Sequence, residues 1–385
     1  MAKPLSKTVV VAYGRSAVAK SGKKGALRNL HPIDMGGLVL KGVMEKIPKL
    51  DPALVEDVIL GCAIPEAKQG LNPARLVAAR AGLPYTACGL TVDRFCSSSL
   101  QAVALAAWQI EAGQADCIVS MTALPMTLDR SGDMDPWLLE HDPAQYISNG
   151  ETAENVAEKY NVTREEMDRL ALESHRKAAA AQDAGYFDEQ IIPLPGVDAE
   201  GNEIVFDKDQ GIRRDTTLEK MASMKPCFRE NGRVTAATSS QTSDGAAFLV
   251  LMSRDKAAEM GIRPLASFLG FCVGGLDPAY MGLGPIYAAP KVLEYTGLTM
   301  DDMDVIELNE AFAAQVSPCI RELGMDPARV NPNGGAMALG HPLGATGAVL
   351  SCKAISELRR TGGKYAMVTM CIAGGMGAAG IFQTE

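Results

Sequence analysis

The stretch Cys96–Ala123, CSSSLQAVALAAWQIEAGQADCIVSMTA, opens on a cysteine, runs into an apolar helical pattern and closes on a strand. Far along the chain, His341–Ala373, HPLGATGAVLSCKAISELRRTGGKYAMVTMCIA, repeats that plan with a histidine in the first place. Each half also carries a Gly-Ala run beside a strand, DGAAFLVLM at 244–252 and GMGAAGIF at 375–382. Two copies of one α/β unit, packed together, would bring Cys96 and His341 to corresponding helix starts.

Alternation continues outward from these units. Strands are expected at Lys7–Tyr13, Asp57–Ile64, Cys88–Val92 and Asp116–Thr122, with helices at Asp34–Ile47, Asn72–Ala81 and Ser97–Ala112. It resumes with strands at Asp244–Met252, Leu265–Val273, Val305–Leu308, Arg329–Pro332 and Tyr365–Cys371. Between them, residues 124–242 are more charged and include a long helical pattern, Thr152–Gln182. The organisation expected is therefore a first half over 1–123 that ends with a strand and helix over 243–264. An inserted loop subdomain occupies 124–242, and a second half spans 265–385.

With 385 residues, 47% of them hydrophobic, the chain can bury substantial cores. A formal charge of −9 argues against a general nucleic-acid binder. Nine scattered cysteines, with no C-x-x-C pair, read as reduced thiols in a cytoplasmic setting rather than a disulfide framework or zinc site. No run is apolar enough for an integral membrane segment. The first 33 residues are basic and free of acids, as in a transit peptide, but KTVVVAYGRSAV within them reads as a strand and argues for a structured N-terminus. The closing IFQTE is not a peroxisomal address.

Chemistry-bearing residues collect at element ends. A free cysteine is usually a small core residue. Cys96 differs in standing at a helix start next to Arg94, where the helix end and a cation would favour thiolate. His341 also precedes a helix, with Pro342 suited to its first position, and a helix N-terminus favours the neutral imidazole that accepts a proton. Cys371 ends a strand and enters Ala373-Gly374-Gly375, whose amides could bind an anion. Asn309 ends another strand, where it could equally be a helix cap. The G-x-G-x-x-G match at 375–380 lacks the following helix and the acid of a dinucleotide site. No metal-spaced cluster is present. Two thiols with one imidazole suit acyl transfer.

DRFCSSSLQA, SSQTSDGAA, MGLGPIYA, ELNEAFAAQ, VNPNGGAMALGHPLGATG and CIAGGMGAAG, in that order, resemble the thiolases, and GETAENVAEKY extends the likeness into the middle of the chain. The resemblance implies a five-layer αβαβα sandwich of two similar halves with an inserted loop domain. It implies a homodimer or homotetramer, with association with a β-oxidation dehydrogenase or hydratase subunit as a further partner. CoA and acyl-CoA would be substrates, with no permanently bound cofactor and no metal. Cys96 would be the acylated nucleophile, His341 its base and Cys371 the second acid/base. Asn309 would orient a water in the oxyanion site shared with His341. The backbone amides of Cys96 and Ala373 would form a second oxyanion site, such donors typically being worth about 3–4 kcal/mol of barrier each.

For the anionic CoA, the basic candidates are Lys208, Arg213, Arg214, Lys220 and Lys225, and the resemblance favours Arg213. It places Ala236, Ser240, Met281, Ala311 and Phe312 along the pantetheine channel and acyl pocket, with Asn149 on its wall in place of a usual Met. Other departures are Asp93 and Thr238 for Asn, and Ser99 and Ala373 for Gly. The alanine matters because a Cβ is strained at positive φ. The activity implied is thiolytic cleavage of 3-oxoacyl-CoA. Condensation of two acetyl-CoA is the alternative within the family. An acyl-CoA-binding scaffold subunit and a ketosynthase working on an acyl carrier protein are alternatives of other classes.

Overall fold

Side chains that alternate along each strand decide how this molecule is layered. In the computed structural model, whose described residues are 6–123 and 134–385, nine strands form one mixed sheet. They are β1 (Thr8–Arg15), β2 (Asp57–Gly61), β3 (Leu90–Val92), β4 (Cys117–Ala123), β5 (Ala246–Ser253), β6 (Ala266–Gly275), β7 (Val305–Leu308), β8 (Tyr365–Ile372) and β9 (Met376–Thr384). The order is β3-β2-β4-β5-β1-β6-β9-β8-β7. The sequence of strands outward from β1 is thus mirrored outward from β6. The two half-sheets meet where β1 pairs antiparallel with β6 at Val9↔Ser267 and Val10↔Ala266.

The main helices are α1 (Pro32–Glu45), α2 (Pro73–Arg80), α3 (Ser98–Glu111), α4 (Asn149–Lys159), α5 (Arg164–Asp183), α6 (Gly284–Thr296), α7 (Ala313–Leu323) and α8 (Thr346–Thr361). On one face of the first half-sheet, Val9, Val58, Val119 and Val250 pack on Val39 and Val43 of α1 and Val77 of α2. One residue along each strand, Val10, Ile59, Ile118 and Leu251 face the other way, onto Leu100 and Val103 of α3 and Leu350 and Ile355 of α8. Val368 and Met370 of the second half-sheet close over the same two helices. Its opposite face, with Ile306, Met367 and Ile381, packs on Val292 of α6 and Val316 of α7. The result is five layers, α1/α2, half-sheet, α3/α8, half-sheet, α6/α7. A helix pinned between two sheets has no solvent face, which explains why α3 and α8 are buried nearly all round, α8 pairing its buried Lys353 with Glu307 at 2.6 Å.

Two sequence expectations change. The Arg329–Pro332 strand reduces to one parallel bridge, Val330 to Ile306, because Asn331 turns left-handed at φ 45° and Pro332 has no N–H to give. That bridge sits beside β7 as β3 sits beside β2. The Thr152–Gln182 helix is broken into α4 and α5 at Asn161 (φ 49°), and Thr163 caps α5 through the Glu166 N–H. The expected start of the insertion, residues 124–133, lies outside the described residues. The basic N-terminal stretch holds β1, deep in the sheet. The G-x-G-x-x-G match lies in and before β9.

Candidate active site

The chain leaves β3 at Val92 and reaches α3 through a tight turn, Phe95–Ser97. Phe95 is left-handed at φ 43°. Cys96, only 6% exposed, points inward, and its Sγ lies 3.3 Å from His341 Nε2. Burial pushes the thiol up to about 11. The N–H groups of Ala373 and Cys96 itself pull it down, and the Asp93 carboxylate pushes it up. The cation expected beside it is not there: Arg94 Nε donates to Gln101 Oε1 at 2.8 Å, so the charge acting on Cys96 is Asp93, of opposite sign.

The helix starts of the two halves touch. A Cβ on Gly347 would stand 2.6 Å from Leu100 N, and Ser99 Oγ accepts the Ala348 N–H at 2.8 Å. The Ser99 departure therefore caps the partner helix. This contact brings His341 to Cys96. The imidazole Nδ1 lies 2.6 Å from Thr346 Oγ1. With Nδ1 as donor, Nε2 is left as acceptor for the Cys96 thiol. Burial lowers the ring to about 4, so it is neutral near neutral pH. Pro342 does not begin α8; it precedes a 3-10 turn, Leu343–Ala345, after which α8 starts at Thr346. Further glycines of the loop are required by contact. A Cβ would meet Ser243 Oγ at 2.2 Å from Gly340, which also has φ 106°, and the Glu310 carboxylate at 2.2 Å from Gly335. Glu310 accepts Ser174 Oγ–H (2.6 Å), Asn331 Nδ2–H (2.9 Å) and the Met337 N–H (3.2 Å), fixing that loop from below.

Cys371 lies at the end of β8, 1% exposed, its thiol driven well up by burial and by the neighbouring Cys96. The left-handed positions that follow belong to Gly374 (φ 78°) and Gly375 (φ 76°), not to Ala373, so the alanine is accommodated. Asn309 follows β7, and its N–H donates to Thr369 O at 3.0 Å on the neighbouring strand that carries Cys371. It is fully buried, yet neither side-chain atom has a hydrogen-bond partner among the described residues. Such an amide costs about 1–3 kcal/mol unless something arrives to satisfy it.

Met281, Ala311 and Phe312 share one apolar cluster with Cys371, Ala237 and Met337. A strap at 239–242 joins this cluster to the histidine. Ser240 N–H donates to Ala311 O (2.9 Å), Ser239 bridges Phe312, and Thr242 bridges His341. Arg213 and Ala236 line a narrow cleft with His175 and Met337. The Arg213 N–H donates to His175 Nδ1 at 3.1 Å. Arg214 and Lys220 are paired with Asp183 and Asp215. Asn149 has a local part, its carbonyl accepting Thr152 Oγ1–H at 2.7 Å. The contact toward Phe312 comes one residue on, where Phe228 packs on Gly150 and meets the Phe312 ring edge-on at 5.9 Å. Thr238 closes a capping box with Thr235. Sequence reading missed Thr346, Phe228, Glu310 and Met337. Thr346, on the first turn after the histidine, had a readable signal; Phe228 had none.

A thiol, a neutral imidazole aligned on it, a second buried thiol and amide donors constitute a site for covalent acyl transfer. Residues 8–255 match the family described as thiolase, N-terminal domain, and 262–384 match thiolase, C-terminal domain. This chain belongs to the thiolase family. It is an acyltransferase with the thiolase fold. It is 44% identical to the 3-ketoacyl-CoA thiolase of Bacillus subtilis (strain 168), over 98% of this chain and 100% of that one. An acetyl-CoA acetyltransferase of Cupriavidus necator is 39% identical over 97% of this chain and 98% of its own. Among solved structures, the Bacillus anthracis acetyl-CoA acetyltransferase superposes with a TM-score of 0.89 at 39% identity, covering 99% of each chain. Among the described residues of this thiolase, no group of three or more His, Cys, Asp or Glu could hold a metal ion, and no helix is long and apolar enough to cross a membrane.

Proposed function

We propose that this thiolase cleaves 3-oxoacyl-CoA with CoA, releasing acetyl-CoA and a shortened acyl-CoA, through an acyl group carried on Cys96. The observation that carries this reading is the 3.3 Å contact between Cys96 Sγ and the neutral His341 Nε2. His341 takes the thiol proton as Cys96 attacks the 3-oxo carbonyl. The C2–C3 bond breaks, and the departing acetyl-CoA carbanion takes a proton from Cys371. The incoming CoA thiol gives its proton to the Cys371 thiolate and attacks the acyl group, and Cys96 leaves and recovers its proton from His341. The unpartnered Asn309 amide supports a role in holding water in the oxyanion site with His341, and the amides of Cys96 and Ala373 serve the acyl-enzyme step. The substrate path runs past Arg213, Ala236 and Ser240 to Met281, Ala311 and Phe312, with Asn149 at its margin. The insertion over 124–242 separates parts of the first half, and the second half covers 265–385. CoA and acyl-CoA are substrates, no cofactor is held permanently, and the protein works in the cytoplasm as a homodimer or homotetramer. The open edge at β3, around which Leu71, Tyr85, Leu90 and Phe95 are exposed, supports self-association.

The reverse condensation of two acetyl-CoA is the second reading, supported by relatives of that name. Thiolysis of 3-oxoacyl-CoAs of increasing chain length, with Cys96→Ser alongside, separates the two. Turnover of longer chains that collapses at least about 1,000-fold in the variant is expected. Turnover of acetoacetyl-CoA alone would move the assignment to acetyl-CoA acetyltransferase. Binding of CoA without turnover would restore the scaffold reading.

A further inference from the structure

The turn that presents Cys96 is built around a carboxylate for which the reaction above has no use. Asp93 Oδ1 accepts the Phe95 N–H at 2.7 Å and lies 3.5 Å from Ser98 Oγ. Ser98 Oγ in turn accepts the Arg94 N–H (2.8 Å) and donates to Phe95 O (2.7 Å). Phe95, at φ 43°, holds a left-handed conformation that is unfavourable for a bulky side chain. The acceptor oxygen of Asp93 on the Phe95 N–H offsets that conformation and holds the turn.

We propose that Asp93 is a positioning residue for the acyl-transfer reaction: its carboxylate oxygen, by accepting the Phe95 N–H, locks the left-handed turn that aims Cys96 at His341. The proposal rests on Cys96 being the nucleophile and adds what controls it. An asparagine at 93 would keep the acceptor and lose the charge. The Asp93 charge acts to raise Cys96 and also Cys62, beyond the end of β2. Arg94 on the same turn and Cys272 of β6 line the same open groove as Asp93. Arg94 is the cation of that set, and its Nε is turned to Gln101 Oε1. Burial holds the Asp93 carboxyl above its usual range, so it gains its charge at a higher pH than an exposed aspartate.

The test uses Asp93→Asn and Asp93→Ala in the full chain. The readouts are the pH profile of iodoacetamide alkylation at Cys96, located by peptide mass spectrometry, thermal unfolding, and kcat and KM for thiolysis. Asp93→Asn is expected to melt as the wild type does and to shift the alkylation profile to lower pH, giving several-fold faster modification near neutrality. Asp93→Ala is expected to lose kcat with little change in KM, and Asp93→Asn to restore it. An alkylation profile at Cys96 that is unmoved in both variants, or a wild-type kcat in Asp93→Ala, overturns the positioning role. If Asp93→Ala does not fold, the Asn variant decides alone: it keeps the acceptor, so a folded Asp93→Asn that has lost kcat overturns the positioning role. Alkylation needs no substrate, so an absence of thiolysis would refute the proposed function while leaving this test readable.

Discussion

Cys96 and His341 are displaced from their ordinary ranges by the same cause, with opposite signs. Desolvation penalises whichever form is charged, so the thiol rises to about 11 and the imidazolium falls to about 4. The resting pair is thiol plus neutral imidazole, with the proton transfer left for the moment of attack. That makes the ring's tautomer decisive, and Thr346 Oγ1 on Nδ1 sets it. Thr346→Val should lower kcat by on the order of 10- to 100-fold, less than the whole contribution of a general base, with KM little changed. Thr346→Ser should recover most of the loss. Steady-state thiolysis kinetics on the two variants give the answer, and equal kcat in Val and wild type would remove Thr346 from the mechanism. At this scale, the two thiols and the histidine stood out as chemistry-bearing types at element ends, whereas Asn309 was singled out by the family resemblance and could locally have been a helix cap. The sign of the charge on Cys96 was not legible, since the backbone turn sends Arg94 to Gln101 and leaves Asp93 closer in effect.

Elements matter here through their starting points. α3 begins against β2, where a Cβ on Gly61 would fall 2.3 Å from both Ser98 C and Ser99 N. Backbone cannot yield as a side-chain tip can, so Gly61→Ala must push the start of α3, and with it the Cys96 turn. The expected cost is about 1–3 kcal/mol in urea unfolding, with a fall in kcat. Gly275→Ala, where nothing lies within 4 Å, is the control that should change neither. Periodicity located most strands and helices to within a few residues, Val305–Leu308 among them. It failed at Asn161 and Asn331, whose left-handed conformations interrupt a pattern that their neighbours continue. At Asn161 the asparagine tolerates that conformation without announcing it, whereas at Asn331 the following Pro332 did mark the break.

The whole molecule couples its site to its stability through buried histidines. His175 and His341 are each lowered from 6.5 to about 4, mainly by burial. For a group with a depressed folded pKa, the stability is complete above about 6.5 and is lost as pH falls toward about 4, because the unfolded chain takes up protons that the native one refuses. The buried carboxyls of Glu307 and Glu310, both raised, act in the opposite sense. The clean measurement is therefore the difference between wild type and His175→Gln. Relative to the variant, the wild type should lose stability steadily from about pH 6.5 downward, reaching about 3 kcal/mol near pH 4. A difference that stays flat with pH would mean that His175 titrates as if exposed.

By itself the sequence determined that the chain alternates strand and helix in two related units, and that a cysteine and a histidine stand just ahead of corresponding helices. These are local properties, written in period and residue type over a dozen positions at a time. Only the tertiary structure decided that the imidazole is neutral, that Ala373 keeps a conformation an alanine can hold, that Asn309 is left without a partner, and that Asp93 holds the turn carrying Cys96. The neutral imidazole and the unpartnered amide depend on water being excluded by segments distant in the chain. Cys96 and His341 are 245 residues apart, and desolvation, unlike periodicity, exists only once such segments have closed over one another.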